Sequence, residues 1–336
     1  MSLRNRLDAL RRQSGVGDEP GAAPVANDLR NRLARLGGRG SRQARQAPRQ
    51  PEAPAALAAR LGGELTEEGL VVVTRRYSAA RRHGDWPLAG SVPPALRGPG
   101  GAPARVTCLD IETTGLSGGT GTAVFNVGVA VARGDEVELR QWLLTGFSGE
   151  AAMLRDVAAW LGDAGLLISY NGRCFDMPLL RDRTRLQRLA DLPEPPHLDL
   201  LYPVRRLFGG IWPSCRLAEA ERRLLGLERR QDLPGAEAPR AWRAYLAGEP
   251  GHGLERVLAH NALDVLSLVA LPGALGQVLD APLAHGAKPL AAARIWRQAG
   301  LYREYHRVLG QVQAQQWLDL ADTSVPTQAG EGKARI

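Results

Sequence analysis

Two rhythms of apolar residues run along this chain, and the change from one to the other marks out its elements. Residues 64–77 read as a strand pair, with Leu70-Val71-Val72-Val73 as its apolar part. A stretch rich in Gly, Pro and Ala, from Gly84 to Pro103, leads into Val106-Thr107-Cys108-Leu109-Asp110-Ile111-Glu112-Thr113-Thr114-Gly115-Leu116. A glycine-rich turn to Gly121 follows, then two more strands over 123–131 and 137–144. Three consecutive strands predict an antiparallel meander. Over 150–161 the spacing becomes helical, with Ala151, Leu154, Val157, Ala158 and Leu161 on one stripe. Leu166-Leu167-Ile168-Ser169-Tyr170 is a short buried strand that ends at Asn171-Gly172. Beyond it the pattern is helical over roughly 176–190, 197–208, 215–225, 239–247 and 253–271. The order βββαβ followed by helices predicts an α/β domain. Its mixed central sheet would combine a three-strand antiparallel meander with parallel strands, flanked by helices.

The ends of the chain read differently. Residues 1–55 are rich in Arg, Ala, Gly, Pro and Gln, a composition expected of a disordered tail. Within it Leu3-Arg4-Asn5-Arg6-Leu7 recurs as Leu29-Arg30-Asn31-Arg32-Leu33, either two short basic amphipathic helices or a duplicated linker. Residues 56–104 are expected to form a β-hairpin and loop extension, 105–275 the α/β domain, and 285–320 a helical hairpin that caps it. Residues 321–336 are expected to form a disordered tail.

Composition narrows the setting. The 336 residues are 44% hydrophobic, enough for a sizeable core. No apolar run approaches the roughly 20 residues that span a bilayer, and the N-terminus lacks a signal-peptide core, so a cytoplasmic protein with no membrane partner, and a monomer, is expected. Cys108, Cys174 and Cys215 are too few and too scattered for a disulfide framework or a zinc site. Residues 1–50 hold 11 Arg against 4 acids, so +7 of the formal +8 sits in the tail. A basic tail either adds sequence-independent affinity for phosphate backbones or is a solvated extension.

The chemistry concentrates in three stretches. Asp110 and Glu112 are two apart on a strand and share a face. Buried side by side they repel, which favours a hard divalent cation between them; the alternative is a solvated strand end. Asp176 falls where a strand, an Asn-Gly turn and a helix start meet, facing the cleft or capping the helix. His260 and Asp264 are four apart on a helix and share its face, as ligands or as a structural pair.

Taken together, Asp-x-Glu on a strand, Tyr170-Asn171 with Phe175-Asp176 at a strand-to-helix turn, and His260-x-x-x-Asp264 on a late helix resemble the three motifs of the DEDD superfamily of ribonuclease H-like 3′→5′ exonucleases. Residues about 64–272 are more specifically similar to the YprB-type ribonuclease H-like domain family, through His197-Leu198-Asp199-Leu200-Leu201, Pro213-Ser214-Cys215-Arg216-Leu217 and Asp232-Leu233-Pro234-Gly235. The resemblance implies a ribonuclease H-like fold and makes Asp110, Glu112, Asp176 and Asp264 ligands of two Mg²⁺ or Mn²⁺ ions about 4 Å apart. It makes His260 the general base. It places a terminal nucleotide against Thr113, Gly115 and Leu116 on one wall and Asn171 and Phe175 on the other. Arg173, Arg181, Arg205 and Arg206 are candidate phosphate contacts, with solvated surface arginine the default alternative for each, and His197 and Asp199 are expected to be structural. Three residues separate His260 from Asp264, the spacing usual when a tyrosine holds the histidine position. The implied activity is exonucleolytic hydrolysis of nucleic acid, with single-stranded DNA in repair favoured and RNA the rival. Other readings are a silent binding module that recruits a repair helicase, and a structure-selective endonuclease.

Overall fold

In the computed structural model the expected meander is the middle of a seven-stranded sheet. The structure describes residues 52–88, 91–97, 101–115, 121–229 and 232–323, with side chains to 314. The readings made for 1–51, Leu116 and 324–336 lie outside the described residues. Nine strands are labelled in chain order: β1 Glu64–Glu67, β2 Leu70–Ser78, β3 Arg82–His83, β4 Trp86–Pro87, β5 Val106–Thr113, β6 Val124–Arg133, β7 Glu136–Leu144, β8 Leu166–Ser169 and β9 His197–Asp199. The large sheet has the order β1-β2-β7-β6-β5-β8-β9. Its antiparallel part runs from β1 to β5, and β8 and β9 add to β5 in parallel. β3 and β4 form a separate small hairpin.

The helices are α1 Pro54–Leu61, α2 Pro94–Arg97, α3 Glu150–Gly162, α4 Asp176–Leu186, α5 Leu201–Phe208, α6 Leu217–Ala220, α7 Glu237–Leu246, α8 His252–Asp280, α9 Pro289–Gln298 and α10 Tyr302–Thr323. Strand alternation sends residues to two cores. Leu109, Ile111, Val127 and Val129 pack on one face with residues of α1, α3, α4 and α7. Cys108, Ala130, Leu139 and Ile168 pack on the other with α5, α9 and most of α8. This is the mixed α/β architecture of a ribonuclease H-like fold.

Some boundaries differ from the sequence reading. The helix expected over 197–208 begins instead as β9, followed by α5. Pro195-Pro196 disfavours helix before it, and a three-residue strand is too short for alternation to show. The helix expected to stop at 271 continues through Pro272 to Asp280 as α8. Its C-terminal half is buried almost all round, so packing outweighs the lost hydrogen bond. By length and composition α8 could cross a membrane, yet 72% of its most apolar window is buried within the protein, as expected of a core helix. Trp296 of α9 donates to the Leu279 carbonyl of α8 at 2.9 Å and fastens the C-terminal hairpin there.

One glycine sets how closely α8 approaches the sheet. Gly128 lies opposite Asp110 in the β5–β6 ladder, and a Cβ there would stand 2.1 Å from Asn261 Oδ1 and 2.9 Å from Val265 Cγ2. Gly128→Ala should therefore destabilise the fold by about 1–3 kcal/mol through overpacking. Urea unfolding should show a lower midpoint. An unchanged midpoint would mean that this approach is not tight in solution.

Candidate active site

The acid pair sits where the α8-facing side of β5 runs out of apolar cover. Asp110 and Glu112 alternate with Leu109, Ile111 and Thr113, so both carboxylates turn toward α8. There Asn261 Nδ2 donates to Asp110 Oδ2 at 2.9 Å, while Gln141 Nε2 donates to Asn261 Oδ1 at 2.8 Å and to the Leu258 carbonyl at 2.8 Å. Asn261 is fully buried and bonded on both sides, so it ties helix to sheet beside the acids.

The second motif is shaped by its loop. Asn171 has a left-handed backbone with φ of 70°. Asp199, at the end of β9, accepts backbone N–H groups from Asn171 at 2.7 Å, Arg173 at 3.1 Å and Leu201 at 3.1 Å. His197 meets Ser169 Oγ at 2.7 Å. These two residues hold the loop that delivers Asp176 to the first turn of α4. Asp176 is buried, and its Oδ2 has no hydrogen-bond partner among the described residues. An acid aimed inward without a partner is expensive unless a cation or a proton meets it.

The third motif closes the cleft. His260 Nε2 lies 3.8 Å from Glu112 Oε1 and 3.8 Å from Asp264 Oδ2, and His260 Nδ1 lies 2.7 Å from Asp232 Oδ1. Asp110, Glu112, Asp176, His260 and Asp264 are thus brought to one cleft. Thr113 Oγ1 donates to the Gly115 carbonyl at 2.9 Å and orders the strand end, Asn171 is exposed, and Phe175 is half-buried. Of the arginines proposed for phosphate, Arg181 pairs with Glu194 at 2.8 Å.

A cation the sequence reading missed enters the same cleft. Arg229 grips the fully buried Glu221, with Nη2 on Oε1 at 2.8 Å, while its Nη1 reaches Asp232 Oδ2 at 2.8 Å and its Nη2 also donates to Asp264. Glu221 opens a single π-helical turn over Glu221–Leu225, a local irregularity common at functional sites. In the sequence, Glu228-Arg229-Arg230-Gln231-Asp232 is indistinguishable from a solvated charge run. Asn261, beside His260 on a helix, was the more findable omission.

Electrostatics follow from this crowding. Burial, then Asp264, Asp176 and Glu112, push Asp110 well above the usual carboxylate range, and Asn261 only partly opposes them. Burial lifts Glu112 to about 7, against the pull of His260. Burial, Asp199, Glu112 and Asp264 lift Asp176 to about 8. Burial also raises Asp264, with Arg229 and His260 opposing. For His260, burial favours the neutral ring, but Asp264, Asp232 and Glu112 together raise it above its ordinary value.

Among the described residues no three Asp, Glu, His or Cys side chains form a ready-made cage. The donor set nevertheless suits a hard divalent cation: it is all carboxylate oxygen, mutually repelling, and one oxygen of Asp176 is buried with nothing to bind.

Residues 107–275 match the sequence model of the RNase_H superfamily, a span that contains every residue of the carboxylate cleft named above. The chain is 38% identical over 165 residues to the uncharacterized protein YprB of Bacillus subtilis (strain 168), covering 48% of this chain and 40% of that protein. The chain therefore matches well under half the length of that relative. It is also similar to the structure of the family B DNA polymerase of the archaeon Pyrobaculum calidifontis, at 17% identity and a TM-score of 0.43 over 61% of this chain and 30% of that one. A likeness of that size says nothing about function.

Without metal, the acid cluster should make stability fall as pH rises. A carboxyl that is harder to ionise in the fold holds its proton more tightly there, so its cost is absent below the unfolded value and complete above the folded one. For Asp176 that window runs from 3.8 to about 8. In chelator, the melting temperature should drop across it, and Asp176→Asn should flatten the drop. A melting temperature that rises across the window, or an equally steep slope in the variant, would contradict this electrostatic picture.

Proposed function

The chain belongs to the RNase_H superfamily, and from its carboxylate cleft we propose that it is a divalent-metal-dependent nuclease that hydrolyses phosphodiester bonds. The observation that carries this reading is the buried, unpartnered Oδ2 of Asp176, set in one cleft with Asp110, Glu112 and Asp264. A protein that only bound nucleic acid would gain nothing from buried acids turned toward phosphates. The finer assignment, a 3′→5′ exonuclease of single-stranded DNA acting in repair, follows the motif resemblance, with RNA as the rival polymer.

In this reading Asp110, Glu112, Asp176 and Asp264 hold the metal. Bound divalent cations would stabilise the attacking and leaving oxygens of an in-line displacement and offset the charge that develops on the phosphate. His260 is the base. Asp232 accepts the Nδ1 proton, which leaves Nε2 toward Glu112 and Asp264 to take a proton from the attacking water. The acids around the ring make it a stronger base. Asn261 fixes Asp110 through Oδ2 and so orients the carboxylate nearest the helix. Thr113 and Gly115 shape the strand end where a terminal sugar would rest, and Asn171 and Phe175 line the facing wall.

End-labelled single-stranded DNA and RNA, incubated in Mg²⁺, Mn²⁺ or EDTA with wild type and Asp110→Ala, test the proposal. Metal-dependent shortening from the 3′ end, lost in Asp110→Ala, is expected. Degradation that persists in EDTA or in the variant would sink it, and cuts in a circular substrate would replace exonuclease with endonuclease. His260→Ala should lower kcat by about 10²–10⁴. Asp232→Asn should move the acid limb of the pH–rate profile downward, because it removes an acid that raises the ring's pKa. An unmoved limb would show that Asp232 does not tune the base.

A further inference from the structure

A basic groove runs along the edge strand β9, and the proposed function does not use it. Two cavities, of about 590 and 690 Å³, adjoin at Arg206 and Gln298, whose hydrogen bond links the two walls of the trough they make together. One wall is α5 and the edge strand β9; the other is the C-terminal hairpin, whose place in the molecule is otherwise unexplained. Arg97, Arg173, Arg206, Lys288 and Arg294 line it. Arg173 stands at the cleft end, on the loop that delivers Asp176.

Among the described residues the charge of the trough is not compensated. None of these cations has an acidic partner among the described residues. Arg173 donates to the His197 carbonyl, Lys288 to the Gly209 carbonyl, and Arg206 to Gln298 Oε1 at 2.5 Å. The one carboxylate on the described walls, Asp199, already accepts three backbone N–H groups. The Nε of Arg97 is buried with no hydrogen-bond partner. A large exposed aromatic, Tyr202, stands in the same trough at 43% exposure. Unpaired guanidinium groups along a groove with an aromatic platform are the combination that holds single-stranded nucleic acid, by phosphate contacts and base stacking.

We propose that this trough binds the single strand of nucleic acid whose end is in the carboxylate cleft, with its phosphates on Arg173, Arg206 and Arg294 and a base against Tyr202. The C-terminal hairpin thereby becomes a substrate-binding wall. The proposal rests on the nuclease reading for the strand's direction into the cleft. Its chemistry, a polyanion with stackable bases, rests on the trough alone.

The test measures binding in the cleavage-deficient Asp110→Asn full-length chain. Fluorescent trithymidylate and dodecathymidylate are titrated across a range of salt, with polyglutamate as a polyanion without bases. The longer strand should bind more tightly than the shorter. Arg206→Glu and Arg294→Glu should each weaken the longer strand several-fold and make its salt slope shallower by about one. Arg294 makes no bond to another side chain among the described residues, so its replacement leaves the fold intact. Tyr202→Ala should weaken binding with no change in salt slope. Arg155→Glu, on the opposite face of the sheet, should behave as the parent. Wild-type affinity and salt slope in both Arg206→Glu and Arg294→Glu would overturn the proposal. So would a preference for polyglutamate over the oligonucleotide, which would assign the trough to an acidic protein. Because binding is read without cleavage, a wild-type enzyme that fails to cut would count against the nuclease reading and not against the groove.

Discussion

Carboxylates held together in a cleft of low dielectric repel one another and lose their hydration, and the centre of this fold is organised around that cost. Gly128 lets α8 come close enough for Asn261 to donate to Asp110, and Gln141 anchors Asn261 from the sheet. On the far side Arg229 meets Asp264 and Asp232 while the buried Glu221 holds its guanidinium. Asp199 fixes the loop in front of Asp176 with its own oxygens fully engaged. Asp110, Asp232 and Asp264 thus each have a hydrogen-bond donor beside them, whereas Asp176 Oδ2 has none among the described residues.

The architecture explains how distant residues reach one place. β5 and β8 run parallel, so the acids near the end of β5 and the loop after β8 emerge at the same edge of the sheet. α8 packs across β5 and brings His260 and Asp264 from late in the chain against that edge. Arg229 and Asp232 then meet Asp264 and His260 of that helix. The basic trough between α5 and the C-terminal hairpin includes Arg173, on the loop that also delivers Asp176.

How much of this could be read beforehand depended on the type of signal. The meander was legible because Val106–Thr113, Val124–Arg133 and Glu136–Leu144 carry long apolar runs between turn residues. α3 was legible from its helical stripe. β9 was not, because three residues show no periodicity, and α1 was not, because Pro54 and a run of alanines looked like the tail before it. Asp110 and Glu112 announced themselves as acids inside an apolar strand. Arg229 did not, since a charge run on the surface and a guanidinium folded into a cleft have the same letters. The trough was hidden for a further reason: Arg97, Arg173, Arg206 and Arg294 lie far apart in sequence, and only tertiary packing makes them neighbours.

If the four acids form a divalent-metal site, metal binding reads it more directly than turnover does. Mn²⁺ titrated into the full-length protein can be followed by the electron paramagnetic resonance signal of the free ion. Wild type should remove Mn²⁺ from solution, and Asp110→Asn and Asp176→Asn should each lose most of this uptake while still folding. Wild-type protein that leaves the free-ion signal unchanged, or uptake that survives in both variants, would contradict it.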